Sequence, residues 1–133
     1  MQIDGGCHCG RIRYRAEANP KDVAVCHCTD CQALSGSPFR AMVVVPAESF
    51  HIEGEPRLYV KTADSGRRRA QAFCPDCGSA IYAADPEAPK TYSIRLGGVR
   101  QRRDLGPPKR QIWRDSALDW ATDFDDTPSA PQG

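Results

Sequence analysis

Polar and apolar positions alternate along several short stretches of this chain, and each alternation predicts a strand with one wet face. Arg11-Ile12-Arg13-Tyr14-Arg15-Ala16 sets its arginines on one side of an extended backbone and its apolar side chains on the other. Phe50-His51-Ile52-Glu53 and Thr91-Tyr92-Ser93-Ile94-Arg95-Leu96 repeat that period. Ala41-Met42-Val43-Val44-Val45 is instead continuously apolar and rich in β-branched residues, the pattern of a central strand covered on both faces, and Pro46 ends it. Arg57 to Lys61, Arg67 to Phe73 and Ser79 to Ala83 make three further candidate strands. The 11 glycines and 11 prolines fall mostly between these runs, where turns belong. The pattern predicts a mainly β fold with short helical turns.

The 133 residues are the size of one domain, large enough to bury roughly 70% of the unfolded chain's surface. We expect that domain to span 1–126 and the small, polar Thr127-Pro128-Ser129-Ala130-Pro131-Gln132-Gly133 to be a disordered tail. With 18 Lys and Arg against 17 Asp and Glu, no global field collects nucleic acid or anionic membrane. No apolar run reaches the roughly 18 residues of a membrane span, and Met1-Gln2-Ile3-Asp4-Gly5-Gly6 has neither a basic nor an apolar leader pattern. A cytoplasmic protein that binds neither nucleic acid nor membrane is expected; nothing in the sequence fixes its oligomeric state.

The seven cysteines carry the candidate chemistry. They fall into Cys7-x-Cys9, Cys26-x-Cys28-x-x-Cys31 and Cys74-x-x-Cys77, and thiols clustered at such spacings in a reducing compartment bind metal more often than they form disulfides. Their odd number also speaks against a disulfide scaffold. On an extended backbone residues i and i+2 share a side, so Cys7 can converge with Cys9 and Cys26 with Cys28 while His8 and His27 turn away. Those histidines read as structural side chains rather than ligands. Cys31 joins its pair if Thr29-Asp30 turns the chain, with Thr29 as N-cap of a short helix. Cys74-Pro75-Asp76-Cys77-Gly78 is a zinc-knuckle sequence, in which Pro75 fixes φ and Gly78 takes the positive φ that brings backbone N–H groups to the sulfurs. Thiolate-rich sites select zinc or iron–sulfur, and the spacings match no common ferredoxin run. Four cysteines close one tetrahedral site and three leave another open, although spacing alone allows more than one pairing.

Other features take plainer readings. Arg67-Arg68-Arg69 and Arg100-Gln101-Arg102-Arg103 read as solvated faces, Trp113 and Trp120 as core or edge packing, and Asp123-Phe124-Asp125-Asp126 as a soluble terminus.

Three segments together resemble the glutathione-dependent formaldehyde-activating enzyme family, the centromere-protein-V-like domain with the Mss4-like zinc-stabilised β-sheet fold. They are Gly5-Gly6-Cys7-His8-Cys9-Gly10 with Tyr14, Cys26-His27-Cys28-Thr29-Asp30-Cys31 with Ser35-Gly36 and Phe39, and Phe73-Cys74-Pro75-Asp76-Cys77-Gly78-Ser79. Ile112-Trp113 with Ser116 and Trp120 is similar to the closing segment, with Gln111 where many members carry histidine. The resemblance implies two zinc ions per chain. Cys7, Cys9, Cys74 and Cys77 would hold the structural one, and Cys26, Cys28 and Cys31 the open, catalytic one. It further implies a carbon–sulfur lyase of the S-(hydroxymethyl)glutathione synthase type, which joins glutathione or another small thiol to formaldehyde or another small aldehyde. His27, His51 or a water would then supply the proton. A non-catalytic, zinc-stabilised binding module is the other class the same residues permit.

Overall fold

The computed structural model describes residues 1–133. Ten strands form two sheets. β1 (Gln2–Gly6), β2 (Arg13–Glu17) and β5 (His51–Glu53) make a three-stranded antiparallel sheet in the order β1-β2-β5. The larger, seven-stranded sheet runs β10-β3-β4-β9-β8-β7-β6, built from β3 (Val23–Cys26), β4 (Arg40–Pro46), β6 (Arg57–Thr62), β7 (Arg68–Phe73), β8 (Ala80–Ala84), β9 (Thr91–Arg95) and β10 (Arg110–Ile112). All its pairings are antiparallel except β10 with β3. One short α-helix, α1 (Thr29–Ser35), follows β3. Residues 127–133 form no helix or strand.

The mainly β class is as the alternation predicts, and so is the alternation of residues 11–16, whereas in Thr91–Leu96 the polar Ser93 and Arg95 are buried instead of facing water. Along β2 the arginines are exposed while Ile12, Tyr14 and Ala16 are buried. β4 lies inside the large sheet between β3 and β9. Three strands have no counterpart in the pattern. β1 ends in Gly5-Gly6, β3 is four residues long and β10 only three, all too short or too glycine-rich to show a period.

Residues directly opposite across an antiparallel ladder share a face of the sheet, which separates the two sides of the large sheet cleanly. Val43 lies opposite Val23 on one side and Ile94 on the other. All three are fully buried, in one core with Ile3, Ile12 and Tyr14 from the small-sheet side. Each such Val or Ile contributes roughly 1.5–3 kcal/mol by leaving water. Aromatic rings bridge the two sheets within this core: Phe50 lies 5.9 Å from Tyr14 and 4.4 Å from Tyr92, and Tyr92 lies 4.8 Å from Tyr82.

The opposite face of the large sheet is different in kind. Arg40 lies opposite Cys26, and Met42 lies opposite both Ala24 and Arg95. Ala24, Cys26 and Met42 form a second, small apolar cluster against which Cys28 and Cys31 pack. α1 lies over this face, and its Asp30 reaches Lys61 of β6 at 2.8 Å.

The C-terminal segment corrects one expectation. Trp113 and Trp120 are 62% and 53% exposed, so neither packs into the core or along an edge. Trp113 takes a left-handed conformation (φ 59°) immediately after β10, and the Trp120 ring lies tilted against the Phe124 ring, with centroids 6.0 Å apart. No helix is long and apolar enough to cross a membrane.

Candidate metal centres and the arginine-lined cleft

The structure brings all seven cysteines into two groups. Cys7, Cys9, Cys74 and Cys77 form one, and Cys26, Cys28 and Cys31 the other, with the sulfurs of each group within 4.8 Å of one another. None forms a disulfide.

The four-sulfur group is made by two knuckles held face to face. Cys7 and Cys9 follow β1, and Gly10 closes their turn with φ 84°, its N–H donating to the Cys7 carbonyl at 3.2 Å. Cys74 and Cys77 follow β7, and Gly78 takes φ 77° and donates its N–H to the Cys74 carbonyl at 2.9 Å. Arg11 clasps Asp76 across the knuckles at 2.7 Å, and the His8 N–H donates to the Ser79 hydroxyl at 3.0 Å. Cys7 and Cys74 are buried in the core, whereas Cys9 and Cys77 are exposed. The sulfur separations of 3.6 Å for Cys7–Cys9 and 3.8 Å for Cys9–Cys74 suit a tetrahedral ion. With Zn–S bonds of about 2.3 Å, ligand sulfurs stand about 3.8 Å apart. Two of the sulfurs, Cys7 and Cys77, are shifted toward the thiolate, while the bonds Cys9 shares with its neighbouring sulfurs push it up to about 12. Ile12 N–H donates to Cys7 Sγ at 3.2 Å, and the Ser79 hydroxyl, followed by the Ser79 and Cys9 N–H groups, draws the Cys77 thiol down to about 5.

The three-sulfur group sits at the junction of β3 and α1. Cys26 ends β3, and Cys28 is itself the N-cap of the helix, its Sγ accepting from the Cys31 N–H at 3.3 Å. Thr29, the residue expected to cap, is instead the first residue of the helix, because the sulfur already occupies the position a threonine oxygen would take. A hydrogen bond shared with Cys31 lowers the Cys26 thiol, and the same bond, with burial, raises Cys31. Sulfurs packed closely enough to share a proton form a donor set suited to one soft cation.

No histidine completes this group. His27 is fully buried between its two neighbouring cysteines but points away from them, with Nε2 hydrogen-bonded to Gln111 Oε1 at 2.9 Å and the ring 5.5 Å from Phe39. His51 is exposed on β5 of the other sheet. His8 is exposed and lines a wide cleft.

That cleft, of about 800 Å³, runs from the Cys7–His8 turn to α1 and the face of the large sheet. Its walls carry Arg13, Arg40, Arg95, Arg100 and Arg102 and no acidic side chain. Arg40 and Arg95 also line an adjoining cleft of about 390 Å³. Both are buried, at 5% and 7% exposure, and neither forms an ion pair with a carboxylate. Burial, opposed first by the charge of Cys31, lowers the Arg40 guanidinium. Burial and then the Arg40 charge push Arg95 down to about 9. Arg100 pairs with Asp4 at 3.1 Å, while Arg67 and Arg68 are exposed as a solvated run would be.

The sequence reading passed over Arg40 and Arg95. Arg95 belongs to the polar half of an alternation and reads as solvent-facing, and Arg40 stands just outside an apolar run. The available signal was that run itself. A strand covered on both faces places its flanking charge under cover too.

Comparison with known proteins agrees with this architecture. The sequence model of the family described as glutathione-dependent formaldehyde-activating enzyme matches residues 2–116. A protein of Halomonas elongata, provisionally named a glutathione-dependent formaldehyde-activating enzyme, is 23% identical over 128 residues, covering 90% of this chain and 80% of its own. An uncharacterized lyase of Schizosaccharomyces pombe is 26% identical over 93 residues, 70% of this chain and 65% of its own. A crystal structure of a Rhodobacter sphaeroides protein superposes with a TM-score of 0.61 at 20% identity, covering 81% of this chain and 98% of that one, which shows a shared fold.

Proposed function

The chain belongs to the glutathione-dependent formaldehyde-activating enzyme family, and from that premise we propose that it is a zinc-dependent carbon–sulfur lyase that adds glutathione or a similar thiol to formaldehyde or another small aldehyde. In the adduct-forming direction the thiol sulfur attacks the carbonyl carbon. A carbon–sulfur bond forms, the carbonyl π bond breaks, and the oxygen takes up the proton lost from sulfur, giving an S-hydroxymethyl thioether.

The observation that carries this reading is the unequal completeness of the two sulfur groups. Four sulfurs satisfy a tetrahedral ion, whereas Cys26, Cys28 and Cys31 supply three, and the one imidazole beside them is committed to Gln111. A closed set is the structural type and an open set the catalytic type. Cys26, Cys28 and Cys31 would hold a zinc ion, which would supply the positive charge that favours a deprotonated substrate sulfur near neutral pH. Three thiolates alone would make that ion a weak Lewis acid, and Arg40, opposite Cys26 and beside Cys31, offsets part of their charge. His27 and His51 are poorly placed as proton donors, one committed to Gln111 and the other on the far sheet. The alkoxide therefore takes its proton from water or from His8, the one histidine on the cleft wall.

Zinc content per chain before and after dialysis against glutathione tests the reading, together with the rate of S-hydroxymethylglutathione formation above the uncatalysed rate. Two zinc ions falling to about one, with a catalysed rate lost in Cys28→Ser, is the expected result. Two retained zinc ions and no rate above background would leave a zinc-stabilised binding module.

A further inference from the structure

The buried arginines belong neither to the zinc ligands nor to the hydrophobic core. An arginine under a protein surface ordinarily faces a carboxylate, because an unpaired buried cation costs several kcal/mol. Here Arg40 and Arg95 share one face of the sheet, at diagonal positions around Met42, and no carboxylate reaches either. Arg95 is held in place by neutral acceptors only, donating to Gln71 Oε1 at 2.6 Å and Ser93 Oγ at 3.4 Å. The Nε groups of both arginines are buried without any partner. Ser93 in turn donates to the Met42 sulfur.

The two cations differ in what already faces them. Arg40 stands against the three-cysteine group. With a zinc ion bound there, three thiolates leave one net negative charge, which Arg40 matches. Arg95 feels the same cysteines after its own burial and the Arg40 charge, and no carboxylate meets it in the wall of the cleft. A guanidinium with neutral anchors and an unused N–H edge is preorganised for a planar, singly charged anion.

We propose that Arg95, backed by Arg40, is the binding point for a carboxylate of the substrate, so that the site selects anionic, carboxylate-bearing thiols over neutral ones. The inference deepens the enzyme reading above and rests on it for the word substrate. A single carboxylate matches the one charge of Arg95, whose hydrogen-bond partners are both neutral, whereas a phosphate dianion exceeds it. Leu34 and Phe39 supply apolar wall beside the arginines. Arg13, exposed on the same cleft and without a carboxylate partner, can meet a second carboxylate of a longer substrate.

The test is calorimetric binding to the zinc-loaded protein of S-methylglutathione, which has both carboxylates but no free thiol. Its dimethyl ester, which keeps the ammonium but has no carboxylate, serves as the carboxylate-free control and inorganic phosphate as the competitor. The acid should bind at least tenfold more tightly than the ester, and Arg95→Gln should remove most of that preference, with Arg95→Lys keeping part of it. The thermal midpoint of Arg95→Met should be unchanged or higher, since an arginine kept for a ligand is a cost to the empty fold. Equal binding of acid and ester, or acid binding untouched by Arg95→Gln, would overturn the proposal. So would phosphate binding more tightly than the acid, or a large fall in midpoint with binding retained. If the acid binds through Arg95 while no S-hydroxymethyl adduct forms above background, the enzyme reading fails and the carboxylate site stands.

Discussion

His27 and Gln111 meet in a single hydrogen bond, Nε2 to Oε1 at 2.9 Å, that fastens the end of β3 to the parallel edge strand β10. The histidine is fully buried and the glutamine exposed, so the bond satisfies Nε2 and orients the imidazole between Cys26 and Cys28, while Nδ1 is buried without a partner. The neighbouring backbone repeats the link, with His27 N–H donating to the Ile112 carbonyl at 3.0 Å. Gln32 of α1 donates to the carbonyls of both His27 and Ser116. Replacing Gln111 by leucine leaves Nε2 buried without a partner. The expected cost is about 1–3 kcal/mol, read as a lower midpoint in urea unfolding. A midpoint unchanged within error would mean that water replaces the amide.

The two sulfur groups should respond differently to loss of a ligand. Cys74, the partner of Cys77 in its knuckle, is buried in the main core, so Cys77→Ala removes a site into which that core is tied. The chain is then expected to lose cooperative unfolding, because a structural zinc site contributes on the order of 10 kcal/mol. Cys28→Ser keeps an oxygen able to cap α1 while breaking the open set, so it should stay folded with one zinc ion fewer. Calorimetric midpoints measured beside zinc content decide the matter, and equal destabilisation of the two variants would contradict the division of roles.

Much of this arrangement was legible in the sequence because it is local. The alternation of residues 11–17, the apolar run of β4 and the knuckle at Cys74–Gly78 each record a constraint between near neighbours. What was hidden is long-range. β3 is apolar and only four residues long, and its identity comes from the register that sets Cys26 against Arg40. The burial of Arg95 depends on strands far apart in the chain, and no period within β9 distinguishes a wet face from a covered one. Trp113 is exposed and carries a left-handed backbone at a non-glycine residue, neither of which composition announces.

Tyr14 offers a prediction in which the conservative change should help. Its ring packs in the bridging aromatic cluster, yet its hydroxyl is buried with no hydrogen-bond partner. Burial, then the charge of Asp4, raises the phenol above its ordinary value of 10.0. Folding therefore favours the protonated form, and the stability tied to that proton is complete below pH 10 and is lost as the pH rises toward the folded value. Tyr14→Phe should be neutral or stabilising near pH 7, since it removes an unsatisfied polar atom without changing the ring. It should also flatten the fall in stability above pH 10. Urea midpoints of both proteins at pH 7 and pH 10.5 measure this, and a variant less stable at pH 7 would show that the hydroxyl has a partner, such as a bound water.

The glycines before Cys7 are required by backbone approach rather than by flexibility. A Cβ on Gly5 would stand 2.2 Å from the Gly98 carbonyl oxygen and 2.6 Å from the Tyr14 hydroxyl, and one on Gly6 would stand 2.2 Å from the Ile12 carbonyl oxygen. Gly5 forms an isolated antiparallel bridge to Val99, and the next residues carry Cys7 into the four-sulfur group, with Cys7 N–H donating to Ile12 O at 3.1 Å. An alanine at either position must push main chain against main chain, which no rotamer relieves. Gly5→Ala is accordingly expected to cost more than the roughly 1–3 kcal/mol typical of overpacking by a methyl group. Because the displaced strand leads straight into a metal knuckle, it should also weaken zinc retention against a chelator, and removing the hydroxyl in a Gly5→Ala, Tyr14→Phe double variant should restore little, since the closer obstacle is the Gly98 carbonyl. Full recovery in that double variant would instead locate the crowding in the side chain.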